Sequence, residues 1–111
     1  IIVGGPPCQG FSLANKRRGK IADDPRNRLF YGFVKFVDWY SPKAFVMENV
    51  KGLLSMQGGK VIQTIVEEFA NAGEQGYNVA YKILRASDYG VPQNRERVVL
   101  VGFRKDLEAE P

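Results

Sequence analysis

The stretch that most restricts the fold is Gly4-Gly5-Pro6-Pro7-Cys8-Gln9-Gly10-Phe11-Ser12, which follows directly on the apolar run Ile1-Ile2-Val3. Two prolines fix φ and the glycines beside them permit otherwise forbidden backbone angles. A strand over residues 1–3 must therefore stop and turn sharply at its carboxyl end. In open α/β sheets that end is where ligands bind. The turn also carries the single cysteine of the chain. A free cysteine usually behaves as a small buried hydrophobe. Cys8, however, stands between prolines and Gln9-Gly10, and the basic residues Lys16, Arg17, Arg18 and Lys20 follow it. Positive charge near a thiol lowers its pKa, so the pattern points to a nucleophile.

Composition narrows the chemistry of that nucleophile. The 111 residues contain no His, which excludes a Cys-His pair of the protease type. One Cys without His cannot make an ordinary zinc site or an internal disulfide, so no metal is expected. A phosphatase-type loop would need Arg six residues after the Cys, and position 14 is Ala. What remains is nucleophilic attack assisted by carboxylate and guanidinium groups.

Two further segments offer those groups. The run Ala44-Phe45-Val46-Met47 ends abruptly in Glu48-Asn49-Val50 and reads as a buried parallel strand. If this strand neighbours the first, with the intervening chain as crossover helix, Glu48 lies at its carboxyl end, level with Cys8. Spacing alone serves equally well for a Glu that caps or salt-bridges the next segment. The second segment, Val91-Pro92-Gln93-Asn94-Arg95-Glu96-Arg97, precedes the β-branched run Val98-Val99-Leu100-Val101. Strand alternation puts Arg95 and Arg97 on one side and Glu96 on the other. Taken alone, that string equally describes a solvated charged loop.

Between these segments the periodicity alternates between strand and helix. Residues 12–24 are polar and basic and read as a mobile loop. Asp24-Pro25 suits a helix start, and Leu29, Phe30, Phe33, Val34, Val37 and Tyr40 repeat at helical spacing up to Ser41-Pro42, as a core-facing stripe. After a Gly-rich connection, Val61, Ile62, Ile65, Val66, Phe69 and Ala70 mark a second amphipathic helix, with Gly73 as its end signal. Residues 77–84 alternate as a strand through Tyr77, Val79, Tyr81 and Ile83, and residues 97–103 form another. The link between these two is too short and polar for a helical crossover, which predicts an antiparallel pair. The order is strand-helix-strand-helix-strand-strand, one α/β domain with a modest core. No repeat or membrane span is evident. A net charge of +4 and a pI near 9.3 favour an anionic partner.

In this order and at these separations, the three motifs together resemble the DNA (cytosine-5) methyltransferase family, bacterial type. Pro6-Pro7-Cys8-Gln9 is similar to its nucleophile motif, Glu48-Asn49-Val50 to its Glu-Asn-Val motif, and Gln93-Asn94-Arg95-Glu96-Arg97 to its Gln-x-Arg-x-Arg motif. Asp24-Pro25-Arg26-Asn27-Arg28-Leu29-Phe30 and Ser41-Pro42-Lys43 also fit. The resemblance spans nearly the whole chain but only a central portion of the family's catalytic domain. The Gly-rich cofactor loop and the target recognition domain are absent, so residues 1–111 are expected to be a piece of a larger domain or part of a split enzyme.

The resemblance implies a Rossmann-like, S-adenosylmethionine-dependent methyltransferase fold. It also implies methyl transfer to C5 of a cytosine flipped out of double-stranded DNA, with Cys8 attacking C6, Glu48 holding the N3 and N4 edge, and Arg97, braced by Arg95, holding O2. A Glu48 kept partly protonated by burial would suit that role. Pro7 and Leu29 are expected near the cofactor or the flipped base, and Gln9, Ser12, Lys16, Arg17, Arg18 and Lys20 near the DNA. Further expectations are the missing segments of the domain as partners, a cognate restriction endonuclease, no membrane, and a bacterial cytoplasmic location. The alternatives are an RNA (tRNA) cytosine-5 methyltransferase and a non-catalytic nucleic-acid-binding remnant.

Overall fold

The computed structural model describes residues 1–8 and 27–111. The expected loop over residues 12–24 and the helix start at Asp24-Pro25 lie outside them. Four strands make one sheet: β1 (Ile2–Gly4), β2 (Ala44–Val50), β3 (Tyr77–Arg85) and β4 (Glu96–Arg104), in the spatial order β1-β2-β4-β3. β1 runs parallel to β2, with Ile2 opposite Phe45 and Gly4 opposite Met47. The link between them contains helix α1 (Arg28–Tyr40), as a parallel pair requires. β4 lies antiparallel to β2 and to β3, so the expected strand pair is present and closes on the far side of β2.

Alternation along β2 decides which side faces the helices. Phe45, Met47 and Asn49 are buried and their neighbours are not. Phe45 and Met47, with Val98 and Leu100 of β4, form one core with Phe30, Val34 and Val37 of α1 and with Val61, Ile62, Ile65 and Phe69 of helix α2 (Lys60–Ala70). Phe45 is the aromatic centre of this core: its ring stacks on Phe69 at 4.2 Å and meets Tyr77 edge-on at 5.3 Å. Its cross-strand partner is Gly102, where an added Cβ would collide with the Phe45 ring.

The expected core-facing stripe of α1 needs correction. Leu29 and Tyr40 are 63% and 70% exposed. The sheet-facing stripe of α1 is Phe30, Val34 and Val37, spaced four and three residues apart. Leu29 falls one residue to the side of it, and Tyr40 instead stacks on Phe36. Tyr81 and Ile83 face the helix side but remain partly exposed, because β3 pairs only with β4 and forms the sheet's edge. The link after β2 contributes Leu53 to the core, fully buried, from a short 3-10 turn that periodicity did not reveal. Among the described residues no helix is long and apolar enough to cross a membrane.

Candidate active site

The carboxyl end of β1, the carboxyl end of β2 and the start of β4 converge. Because adjacent strand residues point to opposite faces, Glu48 and Asn49 reach in different directions. Asn49, on the helix-covered face and only 7% exposed, donates through Nδ2 to the Pro6 carbonyl at 2.8 Å and to Cys8 Sγ at 3.1 Å. Its Oδ1 accepts the Val50 N–H at 2.9 Å. The Cys8 thiol itself points to the Pro6 carbonyl at 3.7 Å.

Glu48 lies on the opposite face, where the antiparallel register pairs Val50 with Arg97 and Glu48 with Val99. The diagonal neighbours Glu48 and Arg97 therefore share that face, and Arg97 Nε meets Glu48 Oε1 at 2.9 Å. Arg97 Nη1 also donates to the Glu96 carbonyl at 2.8 Å. The Glu48 carboxylate comes close to β1 as well: an added Cβ at Gly5 would lie 3.0 Å from Glu48 Oε2. A side chain at Gly5 would have to displace the tip of that carboxylate.

Glu96 turns the other way and bridges Lys51 at 2.6 Å and Arg85 at 3.1 Å. These hydrogen bonds hold its carboxyl below the ordinary range. Arg95 and Arg97 line the same open cleft of about 240 Å³, with Leu84, Arg85, Ala86 and Tyr89, which agrees with the alternation read from the sequence. Arg95 is exposed, and its backbone carbonyl, accepting the Ala86 N–H at 2.9 Å, ties the loop before β4 to the end of β3.

Burial pushes the Cys8 thiol up to about 11, and the hydrogen bond from Asn49 offsets only part of that rise. Lys16, Arg17, Arg18 and Lys20, whose charge was expected to lower it, lie outside the described residues. Glu48 is not buried: its side chain is 46% exposed, because it projects from the face of β2 that the helices leave open. Gln9 and Ser12 also lie outside the described residues. Pro7 and Leu29 are both exposed, one just past β1 and the other in the first turn of α1. The residue missed by sequence reasoning is Asn49, whose only signal was a polar amide closing an apolar strand.

Comparison with known proteins decides the family. The family model for C-5 cytosine-specific DNA methylase matches residues 1–111. The chain belongs to that family. It is 55% identical over 108 residues to the type II methyltransferase M.DdeI of Desulfomicrobium norvegicum, covering 95% of this chain and 25% of that protein. It is 51% identical over 106 residues to M.FnuDI of Fusobacterium nucleatum, covering 96% of this chain and 29% of that one. Among solved structures, a prophage-encoded E. coli protein assigned as a DNA modification methyltransferase superimposes with a TM-score of 0.73 at 32% identity, over 99% of this chain and 28% of that one. The chain thus spans about a quarter of the length of these relatives, and its sheet and helices form part of a Rossmann-like methyltransferase fold.

Proposed function

We propose that this chain carries the chemical centre of a DNA (cytosine-5) methyltransferase and that residues 1–111 form the central portion of its catalytic domain. The observation that supports this most is the reach of two adjacent residues: Asn49 hydrogen-bonds Cys8 while Glu48 pairs with Arg97. All three motifs therefore meet at one end of the sheet.

C5 of cytosine is a weak nucleophile, and addition of a thiolate at C6 makes it a strong one. Cys8 supplies that thiolate, forming a C–S bond at C6 while the displaced electron pair moves onto the ring. Glu48 accepts from the N4 amino group and shares the proton at N3 that absorbs this charge. Arg97 donates to O2 and stabilises the negative charge that develops there. The exposed end of the Glu48–Arg97 pair leaves both groups accessible to a base, which must first leave the duplex stack at a cost of a few kcal/mol. S-adenosylmethionine supplies the methyl group when bound, and the exposed apolar surfaces of Pro7 and Leu29 fit contact with it. Loss of the C5 proton then expels Cys8 and restores the aromatic ring.

In this reading the substrate is double-stranded DNA, Arg95 braces the loop that presents Arg97, and Gln9, Ser12, Lys16, Arg17, Arg18 and Lys20 meet the DNA backbone. The relatives are type II methyltransferases, which supports a restriction endonuclease as genetic partner and a cytoplasmic site of action. Cys8→Ala in the intact protein is expected to abolish methyl transfer while DNA affinity stays close to that of the wild type. Retained turnover would overturn the proposal.

A further inference from the structure

We infer that Asn49 is a positioning residue that both fixes the nucleophile loop and stabilises the Cys8 thiolate through its Nδ2–H group. The inference rests on the reading of Cys8 as the nucleophile. The direction of the Asn49 amide is dictated by its partners. The Val50 backbone N–H can only donate and the Pro6 carbonyl can only accept, so Oδ1 must face Val50 and Nδ2 must face Pro6. With that orientation settled, the group 3.1 Å from Cys8 Sγ is an N–H donor. Toward a neutral thiol this is a weak contact. Toward a thiolate it becomes a charge-assisted bond, of a class roughly twice as strong as neutral ones.

The surroundings leave this bond little competition. Cys8 is 4% exposed, so water contributes little to solvating the sulfur. The nearby charged pair, Glu48–Arg97, projects from the opposite face of β2. Among the described residues, burial and Asn49 are the two influences on the ionisation of Cys8, and they oppose one another. Asn49 is itself buried and bonded on three sides, so it does not need to reorganise when the charge forms. Preorganisation of this kind is what makes a fixed donor effective at a site of developing charge.

The test is pulse alkylation of the intact protein with iodoacetamide between about pH 8 and pH 10, on the rising limb below the thiol's titration. Pulses last seconds, and the peptide containing Cys8 is quantified by mass spectrometry. Wild type is compared with Asn49→Ala and with the isosteric Asn49→Asp, and thermal melting at neutral pH checks that both are folded. In Asn49→Ala the alkylation rate at a given pH on this limb is expected to fall roughly tenfold, the effect of a smaller thiolate fraction. In Asn49→Asp, which sets a carboxylate against the sulfur, the rate is expected to fall further. A purely structural role would loosen the loop, expose Cys8 to water and raise the alkylation rate, and an unchanged or raised rate in either folded variant overturns the inference. Alkylation does not depend on methyl transfer. A Cys8→Ala protein that still methylates DNA would therefore sink the functional reading while leaving the alkylation result intact.

Discussion

Replacement of Glu48 by Gln separates the structural from the chemical role of the site, because the two effects differ in size. The amide is nearly isosteric and removes one charge from an ion pair in which Glu48 is 46% and Arg97 26% exposed. Solvent-exposed pairs of this kind contribute about 0.2–1 kcal/mol, and Arg97 keeps its hydrogen bond to the Glu96 carbonyl. The melting temperature should therefore fall by a few degrees at most. Loss of a group that exchanges a proton in the transition state costs roughly two to four powers of ten in rate, or about 3–5 kcal/mol on the barrier. The chemical cost should exceed the structural one several-fold. Single-turnover methyl transfer at saturating DNA, beside DNA affinity and thermal melting of the same preparation, measures all three quantities. An unchanged single-turnover rate, or a defect confined to affinity, would refute the role given to Glu48.

Two other perturbations follow from the same geometry. Cys8 has a folded-state pKa raised to about 11 from an ordinary value of 9.0, so the folded protein holds this proton more tightly than the unfolded chain. Its stabilisation is complete below pH 9 and is lost as pH rises toward 11, by at most about 3 kcal/mol. Denaturant titrations of wild type and Cys8→Ala across that range should converge on the alkaline side, and parallel curves would contradict the buried thiol. Gly102→Ala drives a methyl group into the Phe45 ring and should destabilise by about 1–3 kcal/mol or more through overpacking, whereas a neutral effect on melting would mean that Phe45 can yield.

Much of this architecture was legible in the sequence because it rests on local pattern. The apolar run at 44–47 marked β2, the stripes in 29–40 and 61–70 marked the helices, and the short polar link before Arg97 marked an antiparallel pair. The exposure of Leu29 and Tyr40 was not legible, since helical spacing defines a stripe without saying which flank the sheet covers. The pairing of Glu48 with Arg97 depends on the register that sets Val50 opposite Arg97, a tertiary fact that spacing does not carry. The same holds for Asn49, whose role appears only when Pro6 and Cys8 are brought against it. The raised thiol shows the converse. Charges near Cys8 in the chain suggested a lowered pKa, whereas among the described residues burial, which is set by the fold, raises it.

The most direct test of the account is to incubate the intact protein with S-adenosylmethionine and DNA in which the target base is 5-fluorocytosine, then map the trapped complex by proteolysis and mass spectrometry. Fluorine at C5 blocks the proton loss that normally frees the thiol. The account predicts a stable adduct on the peptide containing Cys8, formed more slowly in Arg97→Ala. An adduct on another residue, or none from a protein that methylates ordinary cytosine, would contradict it.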